Sequence, residues 1–424
     1  MKVLHEAGFE AYLVGGGVRD LLLNGHPKDF DIATEATPEE VKGLFRGARI
    51  IGRRFRIVHV RIGREVIEVT TFRASHTEAN HAKEAQQSDH GMLLRDNVYG
   101  SLETDALRRD FTINALYYTT QGFEIHDFAE GTKDIKRRLI RMIGDPATRY
   151  QEDPVRMLRA VRFAAKLGFK IDAKTAKPIP GLAHLLRNIS EARLFEEVLK
   201  LLMAGSATAT FQLLQDYGLL EHLFPATASS LSSGDPLAAE LIHQAMINTD
   251  KRIRSNKRVT PAFIYAALLW PPLCQELDKI KSQKHNQKVP DTVLQQQAAQ
   301  TVIRQQLPHT SIPKRFQIPM REIWDLQLRL PNRHGKRASG TIEHARFRAA
   351  YDFVLLREQA GEDLNGLGDW WTRYQDANEK GRLDLVEALE PSSGDKKPKR
   401  RRRRRKPNAQ QNTANNSSPG NQEQ

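Results

Sequence analysis

The chain has 424 residues, of which 39% are hydrophobic, and this is enough to build two or more domains with their own cores. Its single cysteine, Cys274, excludes an intramolecular disulfide and any metal site made only of cysteines. The formal net charge of +14 indicates a polyanionic partner such as RNA.

The positive charge is concentrated at the C-terminus. From Pro391 onward, ten Lys or Arg residues face two acids, so the tail carries +8 and the body still carries +6. Such a composition cannot bury enough apolar surface to offset chain entropy, so we predict that residues 391–424 are disordered. The most apolar stretch, 262–273, is too short to cross a bilayer and the N-terminus lacks a signal-peptide pattern, so we expect a cytoplasmic protein.

The N-terminal third predicts short strands mixed with short helices. A helix is expected over 18–23, and another begins at Thr37, a capping residue followed by Pro38 and two acids. Strands are expected over 10–14, 28–33, 49–51, 57–62 and 65–71. Residues 75–91 are polar and aperiodic, which predicts a loop, and its histidines, His76, His81 and His90, are interpreted as loop residues rather than as a metal site.

Three consecutive glycines end the first predicted strand. Gly15, Gly16 and Gly17 allow backbone amides to approach a phosphate, and Arg19 follows as a charged clamp. The spacing matches neither a P-loop nor a dinucleotide fingerprint, and a glycine triplet alone is more often a plain strand-to-helix turn.

Two aspartates lie in the next predicted strand. In a strand over 28–33, Asp29 and Asp31 share one face while Phe30 and Ile32 point into a core. Two carboxylates held this close repel each other, and a divalent cation such as Mg²⁺ relieves the repulsion. A surface turn is the simpler interpretation of an isolated Asp-x-Asp pair, but its position after a glycine turn favours a phosphate cradle beside a metal-binding pair.

Helical periodicity replaces the strand pattern beyond Asp127. In the first of these helices Asp153 is expected to be the N-cap, and Arg156, Arg159 and Arg162 form a basic stripe. Residues 281–300 are glutamine-rich and predict a loop or an exposed helix, and 361–368 predict a break. The predicted helices cover 153–167, 191–203, 208–217, 236–248, 261–269, 320–330 and 344–359.

The stretch LVGGGVRDLLLNGHPKDFDIA, residues 13–33, resembles the signature of the polymerase-β-type nucleotidyltransferases. It is most similar to the class that holds bacterial tRNA CCA-adding enzymes and bacterial poly(A) polymerases. Further motifs of this class follow in order and together cover about half of the chain: RRDFTINA at 108–115, Asp127 with GTKD at 131–134, EDPVRMLRAVRF at 152–163 and EARLFE at 191–196.

The resemblance implies an α+β fold, in which a polymerase-β-like head with a mixed β-sheet precedes an all-helical body and a disordered basic tail. We expect a nucleotidyltransferase head over 1–135, a helical neck for base recognition over 136–205, an RNA-binding helical body over 206–390 and the tail over 391–424.

The resemblance also implies the site residues. Asp29 and Asp31 would hold two Mg²⁺ ions, and ATP would be the substrate. The nucleotide-binding positions are Gly16, Gly17, Arg19, Arg109, Asp153, Arg156 and Arg159. Asp110 matches a catalytic position, although it could instead cap the following helix and pair with an arginine, and Glu68 is either a third metal ligand or a surface strand residue.

Residues 50–60, IIGRRFRIVHV, resemble the segment that distinguishes poly(A) polymerases from CCA-adding enzymes. They place Arg53, Arg54 and Arg56 beside the catalytic strands, where RNA could lie, although a basic strand edge also discourages edge pairing. The tail arginines, Arg400, Arg401, Arg402, Arg403, Arg404 and Arg405, are further RNA-binding candidates. Poly(A) polymerases usually carry an additional N-terminal segment, so we expect Met1 to lie inside a longer gene product.

The hypothesis from the sequence is therefore a template-independent adenylyltransferase that acts on RNA 3′ ends in mRNA processing and decay. A CCA-adding enzyme shares almost every motif. A small-molecule adenylyltransferase would have little use for the basic tail, and a non-catalytic RNA-binding protein is disfavoured because both aspartates and the glycine turn are intact. Proteins of RNA decay are candidate partners, and the sequence leaves the oligomeric state open.

We also expect Arg193 and Glu196 to form an ion pair that supports the 152–163 motif.

Overall fold

The computed structural model describes residues 1–27, 29–52, 56–74, 85–87, 93–96, 99–283 and 289–389, the two short ranges 85–87 and 93–96 by their backbone alone. The predicted disordered tail and the three histidines of the 75–91 loop lie outside these residues. Within that predicted loop, residues Ala85–Gln87 form a strand that pairs with Leu93–Asp96.

The head contains a seven-stranded sheet in the order β3-β4-β5-β2-β1-β8-β9. Strands β2 and β5 run parallel, whereas their neighbours pair antiparallel, so the predicted mixed sheet is confirmed. The strands of the chain are β1 Ala11–Val14, β2 Asp31–Thr34, β3 Arg49–Ile51, β4 Ile57–Ile62, β5 Glu65–Thr71, β6 Ala85–Gln87, β7 Leu93–Asp96, β8 Leu116–Tyr118, β9 Ile125–Asp127, β10 Leu139–Ile140 and β11 Lys170–Ile171.

Short helices cover and connect this sheet. They are α1 Lys2–Glu6, α2 Gly16–Leu22, α3 Pro38–Leu44, α4 Leu102–Leu107 and α5 Gly131–Arg137, with a 3₁₀ segment at Thr112–Asn114. Helix α3 begins as predicted, because the Thr37 hydroxyl accepts from the Glu40 amide while the Glu40 carboxylate accepts from the Thr37 amide.

Strand β2 begins at Asp31, three residues later than predicted. Asp31 is paired with Val14, the last residue of β1, and at Gly15 the chain turns away into α2 with a φ of 72°. No β1 residue therefore remains to pair with Phe30, which is 42% exposed rather than directed into a core. Ile32 does pack against the core of the head, as expected.

The rest of the described chain is mainly helical, as predicted, but the short strands β10 and β11 pair in parallel as a second sheet that the sequence did not predict. Its helices are α6 Pro146–Glu152, α7 Val155–Leu167, α8 Ala173–Ala176, α9 Ile179–Leu182, α10 Glu191–Leu202, α11 Ala207–Asp216, α12 Leu220–Leu223, α13 Pro225–Ser232, α14 Pro236–Arg254, α15 Pro261–Leu268, α16 Trp270–Gln283, α17 Asp291–Gln306, α18 Lys314–Arg329, α19 Arg337–Ile342, α20 Phe347–Gln359, α21 Leu367–Asp376 and α22 Glu379–Glu387, with a 3₁₀ segment at Ala183–Asn188. In the described part of the chain, no helix is long and apolar enough to cross a membrane.

The glutamine-rich segment, residues 281–300, differs from the predicted loop or exposed helix. Its second half belongs to α17, which buries Gln295 as well as apolar residues such as Leu294. The Gln295 side-chain amide donates to the Trp324 carbonyl at 2.7 Å, and the Trp324 indole donates to the Ala266 carbonyl at 3.1 Å. Burial of this polar side chain is tolerated because its amide is hydrogen-bonded inside the core.

The GTKD motif packs against the 3₁₀ segment of the head. The Asp127 carboxylate accepts from the Gly131 amide at 2.8 Å and from the Thr132 amide at 2.9 Å. Thr112 donates to Asp134 at 2.7 Å. A Cβ atom on Gly131 would lie only 2.2 Å from the Thr112 carbonyl oxygen, so only glycine permits this contact.

We predict that Gly131→Ala lowers the thermal unfolding midpoint, because relieving the clash with the Thr112 backbone costs about 1–3 kcal/mol. Gly43→Ala is the control, since Gly43 lies in α3 with open space around its Cβ position and a helical alanine is favourable there. Calorimetry of both variants measures the midpoints, and equal midpoints would contradict the packing argument.

Candidate active site

The predicted metal-binding carboxylates lie at the start of β2. Asp31 is in register with Glu68 on β5, and Asp29 precedes the strand. Burial raises the pKa of Asp31, the Glu68 and Asp29 carboxylates raise it further, and the Arg109 guanidinium opposes them. Glu68 is exposed and lies 3.3 Å from the His59 ring, so it borders the pair from the neighbouring strand.

These carboxylates are suited to a cation whose remaining coordination positions are filled by the substrate. Among the described residues, no group of three or more His, Cys, Asp or Glu side chains forms a ready metal cage. Mg²⁺ does not need one, since it is usually held by one or two carboxylates together with substrate phosphates. The raised pKa of Asp31 reflects its burial first and then repulsion from Glu68 and Asp29, and a bound cation would offset both, so the donor set fits the expected metal.

Asp105 organises the side chains beneath the glycine turn. It is 2% exposed and accepts from Arg108 at 3.1 Å, from Arg109 at 3.0 Å and from the Tyr117 hydroxyl at 2.6 Å. Burial raises the pKa of Asp105, but Arg109 and Arg108 outweigh it and lower the pKa from 3.8 to about 2. Arg109 is thereby held 3.5 Å from the position that a Cβ atom on Gly15 would occupy.

Arg19 and Arg159 meet through Asn114 and Asp110. Arg19 is 3% exposed and donates to Asp20 at 2.8 and 2.6 Å and to Asn114 at 2.6 Å, and Asn114 donates to Asp110 at 3.2 Å. Arg159 donates to the other Asp110 oxygen at 2.6 Å. Burial raises the pKa of Asp110, but Arg159 outweighs it and lowers the pKa from 3.8 to about 2.

Asp110 thus forms the arginine ion pair that was one of its two predicted roles. Its carboxylate also accepts from the Phe111 amide at 2.8 Å, just before the 3₁₀ segment.

Three guanidinium groups surround one aromatic ring. The guanidinium carbons of Arg19, Arg159 and Arg162 lie 5.0, 5.3 and 4.9 Å from the ring centroid of Phe163, which is itself 8% exposed. The ring faces therefore stabilise part of the positive charge that the nearby carboxylates leave unbalanced.

The predicted base-recognition residues are held from both sides of the α6–α7 junction. Glu152 accepts from Arg156 at 2.8 Å and from Arg149 at 2.7 Å. The Asp153 carboxylate accepts from Arg193 on α10 at 2.8 Å and from the Val155 amide at 3.4 Å. The expected Arg193–Glu196 pair is therefore wrong, because Arg193 reaches across to Asp153.

Arg149 connects this junction to the head. Its guanidinium donates to the Arg109 carbonyl at 2.8 Å and also to the Arg108 carbonyl. Burial and the neighbouring Arg156 charge lower the pKa of Arg149 to about 10. Sequence reasoning missed both Arg149 and Asp105. The available signals were an acid in α4 followed three and four residues later by the arginines just beyond its end, and an Arg-to-Glu spacing of three in α6.

The predicted RNA-binding arginines do not all fall on described residues. Arg56 is ion-paired with Glu39 of α3 at the β4 side of the sheet. Arg53, Arg54 and the tail arginines lie outside the described part of the chain.

Three family models match the chain. Their descriptions are "Poly A polymerase head domain" for residues 11–141, "Probable RNA and SrmB- binding site of polymerase A" for 168–231 and "Polymerase A arginine-rich C-terminus" for 287–407.

Curated relatives match over most of the chain. Poly(A) polymerase I of Escherichia coli O157:H7 is 48% identical over 407 residues, covering 94% of this chain and 87% of the relative. Poly(A) polymerase I of Haemophilus influenzae is 46% identical over 91% of this chain and 86% of the relative. The CCA-adding enzyme of Lactobacillus helveticus is 42% identical over only 52% of this chain and 53% of the relative.

Solved structures show the same fold. The Bacillus stearothermophilus CCA-adding enzyme in complex with CTP matches with a TM-score of 0.50 and 27% identity, covering 91% of this chain and 95% of that one. An apo tRNA-processing enzyme matches with a TM-score of 0.58 at 20% identity over 91% of this chain and 94% of that one, which supports the fold alone.

We predict that Asp105→Asn lowers the free energy of unfolding at neutral pH by about 3–5 kcal/mol, because it leaves two half-buried arginines without the buried carboxylate that pairs with them. Since the pKa of Asp105 is about 2 in the folded protein and ordinarily 3.8, its stabilising contribution is present above pH 3.8 and is lost as pH falls towards 2. Urea unfolding of wild type and variant at neutral pH and at about pH 3 measures this difference.

Glu103→Gln provides the control, because Glu103 is an exposed acid on the same helix. A loss of stability at Glu103 equal to that at Asp105, or a difference independent of pH, would contradict the role assigned to Asp105.

Proposed function

The chain belongs to the bacterial poly(A) polymerase family, and on that premise we propose that it adds AMP units from ATP to RNA 3′ ends without a nucleic-acid template. The observation that carries this proposal is the 48% identity to a poly(A) polymerase I over 94% of the chain. The similarity to the CCA-adding enzyme of Lactobacillus helveticus covers only about half of the chain. The clustering of the motif residues around the start of β2 supports the same reaction.

In the proposed reaction the RNA 3′-oxygen bonds to the α-phosphorus of ATP, and the bond from that phosphorus to the pyrophosphate breaks. Asp29 and Asp31, with Glu68 at the edge, would hold two Mg²⁺ ions. When bound, these ions supply Lewis-acid activation of the 3′-hydroxyl and stabilise the charge of the leaving pyrophosphate.

Residues of the head would bind the triphosphate. Gly16 and Gly17 lack side chains, so phosphate oxygens can approach the backbone closely. Arg109 and Arg19 lie beneath this turn, each fixed by its carboxylate or amide partners, so their positive charges are oriented before ATP arrives. We propose that Arg159 adds a third charge and that Asp110 holds Arg159 in place.

Residues of the neck would select adenine. Adenine presents an amino donor and a ring-nitrogen acceptor on one edge, which an aspartate and a guanidinium can complement. We propose that Asp153 and Arg156 fill these roles. Their partners, Arg193 and Glu152, fix the two side chains and act as positioning residues.

The wider organisation follows from this assignment. We propose that residues 1–135 form the catalytic head, 136–205 the base-recognition neck and 206–390 the RNA-binding body, with the 391–424 tail as an additional RNA contact. Arg53, Arg54, Arg56 and Arg400 to Arg405 would contact RNA phosphates as a sequence-independent positive surface. We place the reaction in the cytoplasm, in keeping with the single cysteine and an RNA substrate.

We predict that the purified protein, given Mg²⁺ and generic RNA, extends the 3′ end with long adenylate tracts from ATP and adds little from CTP. Denaturing gel electrophoresis of reactions with ATP alone, CTP alone or both measures the products. A tRNA that lacks its 3′-terminal CCA serves as the second substrate. A reaction that uses both nucleotides and stops after CCA would replace the proposal with CCA addition.

We predict that the double substitution Asp29→Ala and Asp31→Ala reduces AMP incorporation to background while the protein stays folded and still binds RNA, because only the cation-binding pair is removed. The control is Glu103→Ala with Glu124→Ala, which removes two exposed acids of the head and should keep wild-type incorporation. Full activity in the aspartate variant would disprove the assigned mechanism.

A further inference from the structure

A groove of about 620 Å³ lies in the helical body, where α14, α15, α18 and α20 meet. We call it the basic groove. Its charged lining consists of one carboxylate, Asp352, and six cationic side chains: Lys251, Arg252, Arg258, Arg315, Arg346 and Arg348.

The ion pairs of the groove leave an excess of positive charge. Asp352 accepts from Arg348 at 3.1 Å and lies 3.8 Å from Arg252, and Arg346 pairs with Glu322 at 3.0 Å. Among the described residues, Lys251, Arg258 and Arg315 have no carboxylate partner. Both Arg258 and Arg315 are exposed, so their side chains can reach a ligand without a rearrangement of the fold.

Aromatic rings lie among these charges. Phe263 and Phe316 line the groove, and the Arg315 guanidinium carbon is 5.0 Å from the Phe316 ring centroid. A positively charged groove with rings and guanidinium planes is the surface on which single-stranded nucleic acids bind, because phosphates need the charge and every base has a face that can stack.

The basic groove is adjacent to the neck. The Phe316 ring lies 5.8 Å from the ring of Phe195 on α10, only two residues from Arg193, which holds Asp153. The Ser311 amide also donates to the Glu191 carbonyl at 3.1 Å, so the chain that leads into α18 is anchored to the first residue of α10.

We propose that the basic groove binds a single-stranded segment of the RNA, upstream of the 3′ end that is extended. This inference rests on the proposed function and identifies a binding surface for its substrate. The helices that form the groove lie outside residues 168–231, the region matched by the RNA-binding family model. A strand held there would lengthen the contact between the enzyme and its growing product.

The test is the charge-reversed variant Arg258→Glu with Arg315→Glu, assayed with RNA primers of about 4 and about 20 nucleotides. We expect only the longer primer to occupy the active site and the groove together. We expect the KM for the long primer to rise about tenfold more than the KM for the short one. We also expect the slope of log K against log salt for long-RNA binding to fall by about 1.4, which corresponds to two lost phosphate contacts.

The matched control is Arg304→Glu with Lys380→Glu, which makes the same charge change at exposed residues outside the groove. It should preserve the wild-type ratio of the two KM values. If the glutamate variant fails to fold, as judged by circular dichroism, the milder double variant Arg258→Gln with Arg315→Gln replaces it, and the same KM and salt-slope measurements test the proposal.

Two failures are distinguishable. If the groove variant keeps the KM ratio and the salt slope of the wild type, the proposal is overturned. An acidic protein would then be the class of ligand to test for the groove. A wild-type protein that extends neither primer with ATP overturns the proposed function instead. In that case the salt slope of RNA binding, which needs no catalysis, still tests the basic groove.

Discussion

One buried guanidinium, that of Arg149, links the proposed neck directly to the backbone of the head, alongside the Arg159–Asp110 ion pair. It donates to the carbonyls of Arg108 and Arg109 in the head and to Glu152 at the end of its own helix. A buried charge that loses its partners is costly, so the two parts cannot separate or rotate without leaving it unsatisfied. Glu152 also holds Arg156, and a single set of hydrogen bonds therefore fixes a proposed base-selecting residue relative to the catalytic sheet.

The same constraint explains why the arginines predicted to bind nucleotide are already engaged with protein groups. Arg109 is held by Asp105, Arg159 by Asp110 and Arg156 by Glu152. Each carboxylate offsets the cost of burying a cation and also fixes the direction of its guanidinium before substrate binds. In the proposed reaction, positive charge oriented in this way would stabilise the triphosphate and the transition state without reorganisation at the moment of reaction.

The head and the body contribute differently to function. The fold is shared with a CCA-adding enzyme, and a second CCA-adding enzyme is 42% identical over about half of the chain. The poly(A) polymerase relatives, by contrast, match over nearly the whole chain. An enzyme that adds many nucleotides needs contacts with single-stranded product that are independent of sequence, and a surface such as the basic groove could provide them.

The sequence by itself determined the family, the α+β head with its mixed sheet, the helical body and the Thr37 cap, because motifs, period and capping residues act over a few neighbouring positions. Only the tertiary structure decided where β2 begins, since its partner strand ends at the Gly15 turn. It also decided that Asp105 is the centre of a buried cluster and that Arg193 pairs with Asp153 rather than Glu196. The reason is physical: a long charged side chain pairs with the acid that lies nearest in space, and sequence spacing does not give that distance.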